Sequence, residues 1–353
     1  MSQLLMSQKI YPSLFYVQDL FHSLRKGPWK RIGFEFPGRA VSYHRVMAST
    51  RLRVYDVIRA FCSSNTFQGE LFKSWNTYKV VIFQKKFDQE AYVLAKKLKE
   101  KGTKIVLDVN VNYFDPSWMQ EGDLKQFEDA KKFIDLCDSI LVTTDQLKQV
   151  LTESFHKTNV HVIEENIPEK FFRVPFVGFS KAETKIFVYN GYAAKAREIL
   201  LIQDVLRTLA QEYNIEYRFI CEKDPRIQIP GVRTKFIKYQ EAINERQLSE
   251  GHLYLAPRDL GNAYNLSHSF TKIGSPMAVG LPVIASPIPS YTQSPAVLIQ
   301  DFGNTWYKTI KELLDDQDTY TSLSNQGRTY CRKHFSPAVI TRKYQSYFDS
   351  LTR

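Results

Sequence analysis

Between Leu253 and Tyr291 the chain runs LYLAPRDLGNAYNLSHSFTKIGSPMAVGLPVIASPIPSY. An apolar strand, His252–Ala256 (HLYLA), ends at Pro257, which has no N–H to give to a ladder. A loop containing Asn265, Ser267 and Ser269 follows, then a helix-compatible segment through Met277 and Ala278. Gly280 permits a tight turn into a second strand, Pro282–Ser286 (PVIAS). Strand, crossover helix and strand form the repeating unit of a parallel sheet covered by helices.

The same alternation extends in both directions. Upstream, Arg31–Phe36 is a short strand ending at Pro37-Gly38, and a helix is expected from Arg51 to Phe61. Lys79–Gln84 (KVVIFQ) is a β-branched run followed by an amphipathic helix, Asp88–Lys101, that stops at Gly102. Lys104–Val109, Ser139–Thr144 and Val160–Ile163 are further strands. Residues 168–181, with Pro175 and Gly178, are expected to be a linker. The pattern then restarts with strand Lys185–Tyr189, a helix from Glu198 to Glu212, and strands Tyr217–Cys221 and Thr234–Ile237. A terminal helix from Ser336 carries Val339, Ile340, Tyr344, Tyr347 and Phe348 on one side. The expected fold class is α/β: two doubly wound, Rossmann-like domains, 1–170 and 171–335, with 336–353 packing back on the first.

The composition agrees with a folded chain. Of 353 residues, 43% are hydrophobic and 24% charged, and no apolar run approaches the ~20 residues that span a bilayer. The start, MSQLLMSQKIYPS, has no basic region followed by an unbroken apolar stretch, so a cytoplasmic protein is expected. Cys62, Cys137, Cys221 and Cys331 form no CxxC pair and are expected to be reduced, buried thiols. Net charge is +11 and uneven: residues 1–60 hold ten Lys/Arg against three acidic residues. A solvated basic face, attraction to anionic lipid at a membrane surface, a nucleotide diphosphate and nucleic acid all fit that surplus.

The segment quoted above resembles the donor-binding segment of GT-B glycosyltransferases, the group 1 or family 4-like enzymes. The residues that carry the resemblance are Pro257, Asn265, Ser269 and Lys272, then Met277, Ala278, Gly280, Pro282, Val283, Ile284 and Ser286. The resemblance extends more loosely to the basic stretch Ser49–Arg53 and to the final helix, which in such enzymes crosses back to the first domain. It implies a hexosyltransferase that uses a nucleotide-sugar as donor, with GDP slightly favoured over UDP, and that needs no metal. Retaining members place glutamates where this chain has Ser267 and Ser275. Contacts to the donor sugar and the stereochemical outcome therefore stay open.

Two elements are expected to hold the diphosphate. A helix N-terminus offers unpaired N–H groups and the positive end of a dipole. Ser267, His268 and Ser269 are placed to supply such amides, Asn265 precedes them, and Lys272 adds a full charge one turn later. The second element is NGYAAKARE, Asn190–Glu198: Gly191, small residues, then Lys195 and Arg197. A cation here would stabilise charge growing on a departing diphosphate. Relatives carry a basic residue after the glycine, where this chain has Tyr192, and another six positions on, matched by Arg197. Glu222, Tyr239 and Ser275 are the nucleoside candidates.

For the acceptor, the loops after the first domain's strands supply Ser42, Arg51, Asn110 and Asn112 as binding candidates. His44, Asp108 and Asp115 are the catalytic candidates, as groups able to take a proton. Asn110 and Asn112 partly replace the acids that the resemblance would put there, which fits a retaining, front-side course. The chain has no HExxH, DxD, CxxC or P-loop, so no metal is expected. The implied partners are a nucleotide-sugar and a glycan or glycolipid acceptor, without nucleic acid, in a monomer or homodimer. An inactive or epimerase-like relative and a basic nucleic-acid-binding protein are the competing possibilities.

Overall fold

The computed structural model describes residues 30–37, 46–61, 64, 66–119, 124–175, 178–179 and 181–353. Two compact units result: Met1–Glu165 together with Ile340–Arg353, and Asn166–Val339.

In the first unit six strands lie in the order β2-β1-β3-β4-β5-β6, every neighbouring pair parallel. They are β1 (Lys30–Glu35), β2 (Phe67–Leu71), β3 (Val80–Gln84), β4 (Lys104–Val109), β5 (Ser139–Val142) and β6 (Val160–Val162). The side-chain period of two explains why both faces are apolar. Val80 and Ile82 of β3 join Ile32, Phe34, Val106 and Leu141 on one face. Val81 and Phe83 join Ile105, Leu107, Ile140 and Val142 on the other. Helix Gln89–Glu100, capped by Asp88 through the Ala91 amide, and helix Leu124–Ile134 cover the second face. Ile340, Tyr344, Tyr347 and Phe348, from helix Pro337–Leu351, pack on the first.

The second unit repeats the plan, in the order β12-β11-β10-β7-β8-β9, again parallel throughout. Its strands are β7 (Thr184–Asn190), β8 (Asn214–Cys221), β9 (Arg233–Lys238), β10 (Leu253–Ala256), β11 (Val283–Ala285) and β12 (Val297–Leu298). Gly280, after helix Thr271–Ala278, has φ 96°, a conformation that favours glycine, as its place in the helix-to-strand turn requires.

Three expectations need correction. Within the segment expected as a linker, Phe171, Phe172 and Val174 are core residues, buried beside Ile167, Phe270 and Met277. Its aromatic residues outweigh the turn signals around them. The helix expected over Glu198–Glu212 is two pieces, a 3-10 stretch Arg197–Ile202 and a helix Gln203–Leu209, preceded by a short helix Ala193–Ala196. Strands β2 and β12 were not foreseen.

Candidate functional site

Parallel α/β sheets bind ligands beyond the carboxyl ends of their strands. In the second unit β7 ends at Asn190-Gly191 and β10 ends at Ala256, next to Pro257 and Arg258. Lys272, in helix Thr271–Ala278, reaches across to β7. Its Nζ donates to the Asn190 carbonyl, so close to Gly191 that any Cβ there would collide with the amine. A Cβ at Gly191 would have to displace that flexible amine, and two elements far apart in sequence meet at one point.

A second ring of contacts surrounds this point. Arg258, 2% exposed, forms an ion pair with Glu198, and its amide donates to Ser286 Oγ at 2.8 Å. The other Glu198 oxygen accepts from Asn265 Nδ2 at 2.6 Å. That same amide nitrogen also donates to the Asp259 carbonyl at 3.0 Å. Lys195 lies with its Nζ 4.1 Å from the centre of the Tyr264 ring, and Lys272 with its Nζ 3.9 Å from that of Tyr189. Three cations and a single carboxylate therefore share one polar cluster.

Burial sets the electrostatics. Desolvation, reinforced by repulsion from Arg258, holds the Lys272 amine well below the usual lysine range. Lys195 is lowered in the same direction, first by desolvation. The His268 imidazole is held well below its ordinary value, by desolvation and then by Arg258 and Lys272, so it is neutral near pH 7. Removal from water penalises each of these cations, and a bound anion would relieve the penalty.

The sequence candidates divide at this point. Gly191, Lys195, Asn265 and Lys272 meet in the cluster, and His268 stands at its edge with its ring 5.8 Å from that of Tyr264. The helix N-terminus expected at Ser267–Ser269 is not there. The Ser267 amide donates to Ala263 and the His268 amide to Asn265, because Asn262 caps a separate short helix, Ala263–Leu266. The next helix starts at Thr271, with Ser269 Oγ 3.0 Å from Thr271 Oγ1. Arg197 is exposed at the start of its 3-10 stretch. The Glu222 carboxylate accepts from the Ala193 amide at 3.0 Å and so caps helix Ala193–Ala196. Tyr239 is half-buried against the core, and Ser275 is half-buried in its helix. Arg258 and Glu198 were missed, although a charged residue directly after a strand-ending proline was a usable signal.

In the first unit the candidates are differently engaged. Asp108, 1% exposed, takes Arg53 Nε on both oxygens at 2.8 Å, and Arg53 also donates to the Ile163 carbonyl at 2.7 Å. Desolvation raises the Asp108 carboxyl, with Arg53 opposing. Both oxygens of the carboxylate expected as a base at Asp108 are thus engaged by a buried guanidinium. Asp115 accepts from the Ser117 amide at 2.9 Å and caps the turn Pro116–Trp118. Asn110 donates to Glu165 at 2.9 Å, and Asn112 accepts from the Phe114 amide at 3.0 Å. Arg51 donates to the Val46 carbonyl at 2.6 Å. His44 and Ser42 lie outside the described residues.

Among the described residues no group of three His, Cys, Asp or Glu is placed to hold a metal ion, and no helix is long and apolar enough to cross a membrane. Cys137, Cys221 and Cys331 are free thiols, the last two buried, and Cys62 lies outside the described residues.

No protein-family model and no curated protein matches this sequence. Solved structures do match. Anabaena HepE in complex with UDP and glucose is similar at a TM-score of 0.62 and 10% identity, covering 91% of this chain and 100% of that one. A glycosyltransferase from Rickettsia africae gives 0.60 and 10%, over 93% and 100%. An α-glucosyltransferase in complex with UDP-glucose and DNA containing an abasic site gives 0.58 and 11%, over 92% and 99%. At such identities the likeness is one of fold. This chain has the GT-B fold that these glycosyltransferases share, built from two Rossmann-like units with six parallel strands each.

Proposed function

We propose that the chain is a glycosyltransferase that moves a hexose or deoxyhexose from a nucleoside diphosphate sugar to a hydroxyl of a glycan or glycolipid. One observation carries this reading: Lys195, Arg258 and Lys272 share a half-buried cluster with Glu198 as its carboxylate. With both lysines protonated the cluster has two positive charges in surplus. A diphosphate esterified at both ends has one negative charge on each phosphoryl group and fits that surplus. Bond breaking at the donor puts further charge on the departing nucleoside diphosphate, and cations already fixed in a dry site stabilise it best.

These side chains do what a divalent ion does in other transferases, so the reaction proceeds without added metal. The GDP preference drawn from the sequence gains no support from HepE and the α-glucosyltransferase, which are bound to UDP or UDP-glucose. UDP is the donor nucleotide proposed here. With Asp108 held by Arg53, the course consistent with the site is retaining. The acceptor oxygen bonds to the anomeric carbon on the face from which the diphosphate leaves. The acceptor's proton passes to an oxygen of that leaving group.

Thermal shift with UDP, GDP and dTDP tests nucleotide binding, and mass spectrometry of products from a panel of UDP-sugars in EDTA tests transfer. Stabilisation by none of the three nucleotides would sink the proposal.

A second reading concerns the acceptor alone. The net charge of +11, concentrated in residues 1–60, suits a polyanionic acceptor, and one structural neighbour is bound to DNA. A DNA shift that weakens steeply with salt, together with sugar transfer to DNA, would favour it over a glycan.

A further inference from the structure

A cation waiting in a partly dry site poses a physical problem. It needs stabilisation while the site is empty, yet a carboxylate that supplies it would compete with the incoming phosphate. Elsewhere in this unit lysines take the carboxylate solution: Lys170 pairs with Glu241 and Glu245, and Lys311 with Glu212 and Asp315. Lys195 and Lys272 form no ion pair among the described residues. Each amine instead faces an aromatic ring, at 4.1 and 3.9 Å, the two shortest such contacts among the described residues. The negative face of a ring stabilises a cation by about 0.5–2 kcal/mol without cancelling its net charge.

We propose that Tyr189 and Tyr264 are positioning residues of the diphosphate site, holding Lys272 and Lys195 on their ring faces, charged and without an ion-pair partner, until the phosphates arrive. The proposal rests on the nucleotide-sugar reading given above. Both rings are themselves fixed. Tyr189 is buried, its hydroxyl donates to the Tyr192 carbonyl at 3.1 Å, and Phe219 lies 6.3 Å away. Tyr264 rides on the short helix capped by Asn262 and meets His268 edge-on. The other groups that face Lys272 are Arg258, Cys221, Glu198 and His268, with the Asn190 carbonyl as its hydrogen-bond acceptor. Those that face Lys195 are Glu198, Arg258 and His268. Arg258 repels both amines.

The test uses the full chain and three probes, UDP, GDP and inorganic pyrophosphate, titrated by calorimetry at several pH values. Tyr264→Phe and Tyr189→Phe keep the ring and should bind UDP within about twofold of wild type. Tyr264→Leu should weaken UDP and pyrophosphate by roughly 2- to 30-fold and move the alkaline loss of binding to lower pH. In a Lys195→Ala background the same Tyr264→Leu change should have no further effect, because the ring acts through that amine. Tyr264 is half-buried, so its variants test the idea even if Tyr189→Leu unfolds the chain. Leu variants that bind like wild type, or that lose the same factor with Lys195 already absent, overturn the proposal. If the wild-type chain binds none of the probes, the nucleotide reading itself has failed, and the two results cannot be confused.

Discussion

The carboxyl ends of the two sheets handle buried charge in opposite ways. In the first unit Arg53 and Asp108 neutralise one another at 2.6 to 2.8 Å, with the Ile163 carbonyl completing the guanidinium's contacts. In the second unit Lys195 and Lys272 are desolvated without a carboxylate of their own. A neutralised pair has no electrostatic need of a ligand, whereas a surplus inside the protein does. Buried cations in the same fold are thus paired in one unit and left in surplus in the other.

Breaking the neutral pair should have the largest effect. Asp108→Ala leaves a buried guanidinium without its partner and should destabilise the first unit by about 3–5 kcal/mol, visible as an early transition in a denaturant melt. The double change Arg53→Met with Asp108→Leu should recover most of that loss, since it removes both charges at once. If Asp108→Ala melts like wild type and only abolishes transfer, Asp108 is the base after all.

The surplus side should respond in the reverse sense. Lys272→Ala removes a charge-assisted contact to phosphate and should weaken UDP binding by about 1.5–3 kcal/mol, with little loss of stability because a desolvated cation disappears. A large drop in melting temperature without a change in UDP affinity would make Lys272 architectural, like Arg53.

The pH dependence sharpens the contrast further. The folded-state pKa values of Lys195 and Lys272 lie below the unfolded lysine value, so the unfolded chain binds more protons between the two. Stability of the empty protein should therefore rise with pH through that window and level off at the unfolded lysine pKa. UDP affinity should fall over the same window, because the amines lose the charge that the phosphates need. Opposite slopes in a paired series of melts and titrations are the signature; parallel slopes would mean that the lysines are not the binding groups.

Much of the fold was legible because its strands are nearly continuous apolar runs: KVVIFQ, KIVLDV and SILV became β3, β4 and β5 within a residue or two. Strand β2 was hidden because Gln68 and Glu70 look exposed, whereas Glu70 is buried and accepts from Tyr78 at 2.8 Å and Asn76 at 2.7 Å, partners no local pattern announces. At the site, Gly191 and Lys272 could each be picked out singly. That they meet, and that Arg258 and Glu198 join them, depends on the neighbouring order of β7 and β10 in the sheet. The predicted amide cradle failed for a local reason: the Asn262 cap starts a helix one turn early and uses the Ser267 and His268 amides. The next helix begins only at Thr271, two residues beyond the expected turn.

The smallest expected effect decides what remains of the acceptor side. Asp115 accepts from the Ser117 amide at the start of Pro116–Trp118, a capping role worth about 1 kcal/mol. Asp115→Asn keeps an acceptor oxygen and should leave both stability and transfer nearly unchanged, while Asp115→Ala should cost about that amount and little activity. An acid that took the acceptor's proton would behave otherwise, since Asn cannot accept it, and transfer would collapse in both variants with the melt barely altered. Because Asp108 is already held by Arg53, that outcome would move the reaction to an inverting course with Asp115 as base. A cap alone leaves proton removal to the departing diphosphate and so returns the chemistry to the cationic cluster of the second unit.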